Sequence, residues 1–260
     1  MKIELIKPVV RMGNSSCVML PKEWLNGKAR VELIDEPINI EEDIFKILNP
    51  YLKETLGIYL VGSHARGEQT EESDVDILAI TEKECKRLKK GKYEIILISE
   101  EKLKEALKKN ILPLLPMIKE AKAILNENLI KEYKKIRITK QSLRWHIATT
   151  KSALNLQKEL IKLSEEQGEK ISDGIMYSLI LRLREGYIIN SLKHNQNYTI
   201  KDFKNLIKKL TGSEKSYNAY LRSKRGEREK KDIEPKTARK IYDHLKKEIK
   251  LQEEWQEKKQ

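Results

Sequence analysis

The chain has 260 residues and a formal net charge of +13, with 36% charged and 39% hydrophobic residues. This length allows two or three small domains, and the many charges favour solvated helical elements over one large core. Two cysteines, Cys17 and Cys85, form no Cys-x-x-Cys pair, which excludes a disulfide framework. The longest apolar stretch, 111–118, is too short and proline-broken to span a membrane. We therefore expect a cytoplasmic protein with no membrane partner.

The first segment, 1–38, predicts a small β unit. Residues 9–20 favour two strands around a turn at Gly13 and Asn14, and Pro21 and Lys22 suit a short helix. Alternation over 29–34 favours a further strand. A unit of this size is too small for a good core of its own, so we expect it to pair with a second copy in a homodimer.

The same segment resembles the AbrB-like swapped-hairpin family. The matching positions are Gly13, Asn14, Ser15, Leu20, Pro21 and Lys22. The resemblance implies interleaved hairpins in a dimer and, as in many members, DNA binding through Arg11, Asn14 and Lys22. The segment has little net charge, which supports DNA binding weakly. A purely dimerising role and an ordinary β-hairpin therefore stay open.

A strand, a glycine turn and a short helix follow in the second segment, 40–137. Residues 56–61 are an apolar run of β-formers that ends at Gly62 and Ser63. Glycine lets the backbone approach a bulky anion, and a helix over 64–69 would direct free N–H groups at it. This turn predicts a phosphate seat. Arg66 would lie one turn in, where it could pair with a phosphate or a carboxylate.

Two aspartates follow on the next predicted strand, 74–80. Asp74 and Asp76 have i, i+2 spacing, so both carboxylates point to one face. Hard oxygen ligands on one face are typical of a magnesium site. A two-metal site usually needs a third acid, and Glu94 in the apolar strand 92–98 is the best candidate. An acid in such a strand is costly unless it is paired or binds metal.

These motifs resemble the DNA polymerase β-type nucleotidyltransferase superfamily. The closest branch is the minimal nucleotidyltransferases, and the segment is also similar to the catalytic domain of kanamycin nucleotidyltransferase. The matching positions are Gly62, Ser63, Arg66, Gly67, Asp74 and Asp76, with Glu94 as a weaker match. The resemblance implies a mixed sheet with helices and two Mg²⁺ ions held by Asp74, Asp76 and Glu94. It also implies that Gly62, Ser63, Arg66 and Gly67 bind ATP or another nucleoside triphosphate.

The last segment, 138–260, predicts a basic helical bundle. Helical patterns cover 142–157, 171–192, 200–210 and 234–249, and most of the positive charge falls in this segment. Arg239 and His244 have the R-x4-H spacing of the HEPN ribonuclease family. At i, i+5 the two side chains are not ideally aligned on one helix, so a solvated helix face is the favoured interpretation. The predicted fold class is α+β, with an N-terminal β unit, a nucleotidyltransferase sheet and a C-terminal bundle.

Together the motifs predict a magnesium-dependent nucleotidyltransferase that moves a nucleoside monophosphate, AMP from ATP, to an acceptor. The favoured acceptor is a protein hydroxyl, as in toxin–antitoxin adenylyltransferases, a setting that an AbrB-like unit suits. An RNA end or a small molecule is the alternative. A hypothesis of another class is a DNA-binding transcriptional regulator whose transferase domain only senses nucleotide.

Overall fold

The computed structural model describes residues 3–34, 39–71 and 73–255. The chain divides into two units, Met1–Asn39 and Ile40–Gln260. The predicted boundary at residue 38 lies outside the described residues. The predicted boundary at residues 137–138 lies inside the second unit, just before a long helix. The division into three domains stays a prediction.

The first unit is built on a β-hairpin. Strands β1 (Val9–Met12) and β2 (Ser15–Val18) pair antiparallel around the turn at Gly13, whose φ is +60°. A single 3₁₀ turn, Lys22–Trp24, follows. None of residues 3–34 is buried. The expected strand over 29–34 is wrong, because no strand forms there; a strand needs a partner, and within one described chain these residues have none.

The second unit contains a five-stranded mixed sheet in the order β5-β6-β4-β3-β7. Its strands are β3 (Thr55–Val61), β4 (Val75–Thr81), β5 (Lys86–Lys90), β6 (Tyr93–Ser99) and β7 (Lys122–Leu125). Strand β6 runs parallel to β4, and the other neighbours are antiparallel. The strands predicted at 56–61, 74–80 and 92–98 are confirmed to within one residue at each end.

Helices cover both faces of this sheet. The surrounding helices are α1 (Ile40–Leu48), α2 (Gly62–Arg66), α3 (Glu100–Lys109), α4 (Leu114–Glu120) and α5 (Glu127–Lys134). Strand β4 shows the alternation that creates two faces. Its Val75, Ile77 and Ala79 pack with α1, whereas Leu78 and Ile80 pack with α3 and α4. Successive side chains of β4 therefore alternate between two core layers. The predicted acids Asp74 and Asp76 lie at the beginning of this strand.

The last part of the chain is helical, as predicted. It comprises α6 (Lys140–Glu166), α7 (Asp173–Lys193), α8 (Ile200–Thr211), α9 (Lys215–Lys224) and α10 (Pro235–Glu254), with a two-strand ladder of β8 (Ile171–Ser172) and β9 (Lys231–Ile233). Thr199 accepts a hydrogen bond from the Asp202 N–H, which caps α8. Leu143 and Ile189 join the core beneath the sheet, so α6 and α7 pack directly against the five-stranded sheet and its helices. The predicted α+β class is confirmed. Among the described residues, no helix has the length and apolar character needed to cross a lipid bilayer.

Candidate active site

The turn after β3 depends on a glycine. Gly62 has a φ of +70°, and a Cβ built on it would lie 2.1 Å from Oδ2 of Asp76. Only glycine avoids both the left-handed strain and this clash. The short helix α2 begins at this residue and ends at Arg66, and the next residue, Gly67, caps it with a positive φ of 72°. The expected helix over 64–69 therefore starts two residues earlier and stops at Arg66.

Two of the predicted acids lie opposite each other in the sheet. Asp76 on β4 is in register with Val61 on β3 and with Glu94 on β6. Asp74 lies just before β4 and is exposed, whereas Asp76 is half-buried. Strand pairing therefore places Asp76 between the glycine turn and Glu94, on the side chain face that Val75 and Ile77 leave free.

Negative charge accumulates around Asp76. Burial raises the pKa of its carboxyl, and the nearby charges of Glu94, Asp74 and Glu120 raise it further. The positive charge of Lys224 acts in the opposite direction. Carboxylates that repel one another in this way are stabilised by a cation, and their hard oxygen atoms suit Mg²⁺. Among the described residues, however, no three His, Cys, Asp or Glu side chains lie close enough together to hold a metal.

Glu94 is exposed rather than embedded in an apolar face. About half of its side chain, 47%, is accessible, and its Oε1 accepts a hydrogen bond from Lys89 Nζ at 2.7 Å. The same carboxylate raises the pKa of the Lys89 ammonium. The expected energetic cost of an acid in this strand is therefore absent, because β6 turns Glu94 outward beside a lysine of β5. Its role as a third ligand stays a prediction.

Glu120 is a site residue that the sequence pattern did not reveal. It ends α4, and its side chain is only 17% exposed. Its carboxylate accepts hydrogen bonds from the Gly62 N–H at 2.7 Å and from Arg66 Nη1 at 2.6 Å. It thereby fixes the glycine turn through both its backbone N–H and the arginine of α2. No local motif marks a glutamate at the end of a helix for such a role.

Arg66 lies between two carboxylates. Besides Glu120, it donates from Nε to Glu68 Oε2 at 2.8 Å. Burial alone would lower the pKa of the guanidinium, but hydrogen bonds and charges from Glu68 and Glu120 outweigh it and raise the pKa. Two of its nitrogen atoms are thus already engaged within the protein. Its predicted contact with the nucleotide stays a prediction.

The helical part of the chain reaches the site at three points. Glu68 Oε1 accepts a hydrogen bond from the Ile200 N–H at 2.9 Å, at the start of α8. The Tyr198 ring lies 5.6 Å from the Arg66 guanidinium and 5.5 Å from that of Arg184. Lys224, the last residue of α9, is near enough to affect the pKa of Asp76. Helices α7–α9 therefore border the space around Asp76 and the Gly62 turn, which we call the cleft. Lys224 adds a positive charge that sequence analysis did not assign to the site.

The remaining candidates lie elsewhere. In the first unit, Arg11 is on β1, Asn14 in the turn and Lys22 in the 3₁₀ helix, and all three are exposed. On α10, Arg239 pairs with Glu165 and His244 lines a separate small cavity between α7, α8 and α10. The R-x4-H spacing thus places its two residues in different surroundings, one at an ion pair and one at a cavity.

Comparison with known protein families identifies a domain in this part of the chain. A family model described as "Nucleotidyltransferase domain" matches residues 42–146. Comparison with curated protein sequences gives no match. A nucleotidyltransferase-like protein from Exiguobacterium sibiricum 255-15 is a structural match with 14% identity and a TM-score of 0.38, covering 83% of this chain and 77% of its own.

A spectinomycin adenyltransferase from Enterococcus faecialis, crystallised with ATP and spectinomycin, gives 15% identity and a TM-score of 0.39, covering 80% of this chain and 97% of its own. At such low identity and TM-score, neither protein informs on the substrate of this chain. The family match covers the glycine turn and all three candidate acids. Over residues 42–146 the chain has a nucleotidyltransferase domain of the DNA polymerase β-type superfamily, and it is a nucleotidyltransferase enzyme.

Proposed function

We propose that the enzyme transfers AMP from ATP to a hydroxyl group of an acceptor protein with the help of magnesium. The observation that carries this proposal is the register of the sheet, in which Asp76 lies between the Gly62 turn and Glu94. A phosphate seat beside converging carboxylates is the arrangement that phosphoryl chemistry needs, since positioning and charge neutralisation supply most of the rate.

The charge around Asp76 supports a magnesium site. Burial and the charges of Glu94 and Asp74 raise the pKa of Asp76, and these three carboxylates would hold two Mg²⁺ ions. When bound, the ions would neutralise charge on the triphosphate. Lys89 already neutralises Glu94 in the protein alone, so Glu94 would exchange this ion pair for the metal or the acceptor proton.

The residues of the chain divide the chemical work. Ser63 and the Gly62 turn hold the triphosphate. Lys224 offsets the negative charge of the triphosphate from the side of the helical part. The acceptor hydroxyl oxygen forms a bond to the α-phosphorus, and the bond from that phosphorus to the bridging oxygen of the β-phosphate breaks. Glu94 takes the hydroxyl proton, and pyrophosphate leaves. Arg66 and Glu120 position the turn, since the Glu120 carboxylate accepts hydrogen bonds from both the Gly62 N–H and Arg66.

The first unit supports a homodimer. Its apolar side chains are exposed, including 80% of Ile6, 67% of Met12 and 69% of Met19, and none of its described residues is buried. A hairpin without a core is marginal in water, so a second copy is its expected partner. We expect Leu20→Lys to shift the mass measured by light scattering from dimer to monomer. An unchanged mass at equal concentration would contradict this assignment.

Label transfer from α-labelled ATP tests the reaction. We expect the wild type to label a protein in a host lysate, and protease but not RNase to remove the label. Asp74→Asn and Asp76→Asn should abolish the label, whereas Asp243→Asn, an exposed residue of α10, should not. Label that RNase removes would identify RNA as the acceptor.

The cytoplasm, where the two free cysteines Cys17 and Cys85 stay reduced, is the compartment we propose.

A second candidate function rests on the exposed side chains of the hairpin. Arg11, Asn14 and Lys22 are all accessible and could contact DNA phosphates and bases. If the chain is a nucleotide-sensing regulator, it should bind operator-like DNA with affinity that falls steeply with salt, and no triphosphate should be turned over. Turnover that requires Asp74 excludes a purely sensing role.

A further inference from the structure

A groove opens between strand β7 and helix α5. Its volume is about 550 Å³, and it is distinct from the cleft around Asp76. The lining residues are Ala121, Lys122, Ala123, Ile124, Asn126, Glu127, Ile130, Lys131 and Lys134. Among the described strands, β7 is at the end of the sheet and pairs only with β3. One edge of β7 therefore presents backbone groups to the groove or to solvent instead of to another strand. We name this feature the β7–α5 groove.

The groove is positively charged. Its lining includes three lysines, Lys122, Lys131 and Lys134, and one acid, Glu127. Glu127 pairs with Lys131 at 3.0 Å, which leaves Lys122 and Lys134 without a carboxylate in the lining. Nearby, burial lowers the pKa of Lys119, and repulsion from Arg137 and Lys134 lowers it further. Cations that repel one another at the surface favour an anionic ligand.

The groove ends beside the nucleotide turn. Lys122, the first residue of β7, is in register with Leu60, two residues before Gly62. Glu120, two residues before Lys122, accepts the Gly62 N–H at 2.7 Å. A ligand that runs along β7 toward Lys122 therefore approaches the turn that we assign to the triphosphate. The groove is placed to deliver an acceptor to the active site.

We propose that the β7–α5 groove binds an extended, acidic segment of the acceptor protein as an added strand on β7. This inference rests on the proposed transfer to a protein hydroxyl, and it names how that acceptor is held. Strand addition uses main-chain hydrogen bonds for affinity, and the lysines select acidic side chains. A single-stranded nucleic acid fits less well, because no aromatic ring lines the groove to stack a base.

Fluorescence anisotropy with a labelled octapeptide of alternating Glu and Val tests the proposal on the full-length protein. Lys122→Gln combined with Lys134→Gln should weaken binding about tenfold, as expected for the loss of two partly screened charge contacts. Lys108→Glu, an exposed lysine of α3 outside the groove, should bind like the wild type. Thermal unfolding of each variant verifies that it is folded.

A second peptide separates strand addition from simple charge attraction. The same octapeptide with alternate backbone nitrogen atoms methylated keeps its charges but cannot donate the main-chain hydrogen bonds. We expect it to bind at least several-fold more weakly. Equal affinity for the two peptides would overturn the added strand, and equal affinity of the double variant and the wild type would overturn the groove as the site. Binding of an oligo-dT that the double variant weakens, without peptide binding, would assign nucleic acid instead.

Labelling of lysate proteins distinguishes failure of this inference from failure of the proposed function. If the groove holds the acceptor, the double variant should label protein more slowly while its Kd for ATP is unchanged. Unchanged protein labelling would refute the docking role and leave the transfer reaction intact. Peptide binding with no Asp74-dependent labelling would refute the proposed function and keep the groove as a binding site.

Discussion

The carboxylate of Glu120 joins the Gly62 N–H at 2.7 Å to the Arg66 guanidinium at 2.6 Å. Gly62 and Arg66 are 58 and 54 positions away from Glu120 in sequence. The glycine turn is therefore held by the tertiary fold and not by its own residues alone. Arg66 extends the contact through Glu68 to the start of α8. A continuous series of hydrogen bonds between charged side chains and backbone N–H groups thus joins the nucleotide turn to the helical part of the enzyme.

Removing Glu120 tests this series of hydrogen bonds. Glu120→Ala leaves the guanidinium and the Gly62 N–H without their acceptor, so we expect unfolding in urea to show a loss of about 1–3 kcal/mol. The KM for ATP should also rise, because the turn is less fixed. Glu105→Gln is the matched control, since its ion pair with Lys109 is exposed and 3.7 Å long. Stability and KM equal to those of the control would show that Glu120 does not hold the turn.

Two glycines with the same backbone strain separate strain from steric fit. Gly62→Ala adds a Cβ 2.1 Å from Asp76 Oδ2, whereas Gly91→Ala, at a φ of +58°, adds one with nothing within 4 Å. Both should lose about 1 kcal/mol from left-handed strain. Only Gly62→Ala should abolish AMP transfer, because Asp76 must move. Comparable kcat values for the two variants would contradict the predicted role of the turn.

Lys224 should contribute to nucleotide binding from the helical side. Its charge acts on Asp76, so Lys224→Met removes a cation from the most negative part of the cleft. We expect a several-fold rise in the KM for ATP, and this rise should be smaller at high salt because salt screens the charge of Lys224 in the wild type. Lys209→Met, on the exposed surface of α8, provides the control. Steady-state kinetics at two salt concentrations measure both effects, and equal KM values for the two variants would exclude Lys224 from the site.

A buried ion pair gives the helical part a pH-dependent stability. Asp173 accepts hydrogen bonds from Arg222 at 2.9 and 2.6 Å and from the Lys230 N–H at 3.0 Å. Burial alone would raise the pKa of Asp173, but these bonds outweigh it and lower the pKa. Its contribution is therefore present above the ordinary carboxyl pKa and is lost as pH falls through the lowered pKa of the folded state.

Asp173→Asn should remove that contribution. Asparagine keeps one acceptor oxygen but loses the negative charge, and Arg222 also donates to Asp232 at 3.1 Å, so we expect a loss of about 1–3 kcal/mol at neutral pH. The difference from the wild type should shrink in acid, where the wild-type carboxyl is protonated as well. Urea unfolding at several pH values measures this. Glu227→Gln, from an exposed pair with Arg225 at 3.7 Å, should change stability little at any pH.

Local sequence signals predicted the catalytic fold well but not the contacts that complete the site. An apolar run that ends at Gly62 marked β3, and one that begins at Asp74 marked β4, because burial alternation and turn chemistry act over a few residues. Glu120 and Lys224 come from the ends of helices far along the chain. Only packing brings them to the cleft, so no nearby spacing could identify them.

Two features depend on the neighbours of a strand. The alternation over 29–34 predicted a strand, which is wrong, because a strand requires a neighbour that the described single chain does not provide. Glu94 was expected to be costly within its strand unless it was paired or bound metal, and β5 supplies the pair through Lys89, which the sequence pattern did not identify. In both cases the residue's environment depends on what lies alongside the strand, which sequence alternation does not specify.

The parallel pairing of β4 with β6 has a consequence for recognising distant relatives. Between the two strands the chain leaves the sheet, forms β5 at its edge and returns, while Asp76 stays opposite Glu94. Insertions or deletions in residues 82–92 would lengthen or shorten this excursion without shifting the two acids against each other. Searches that fix the number of residues between the second aspartate and the third acid will therefore miss genuine members, whereas searches that align the two strands will find them.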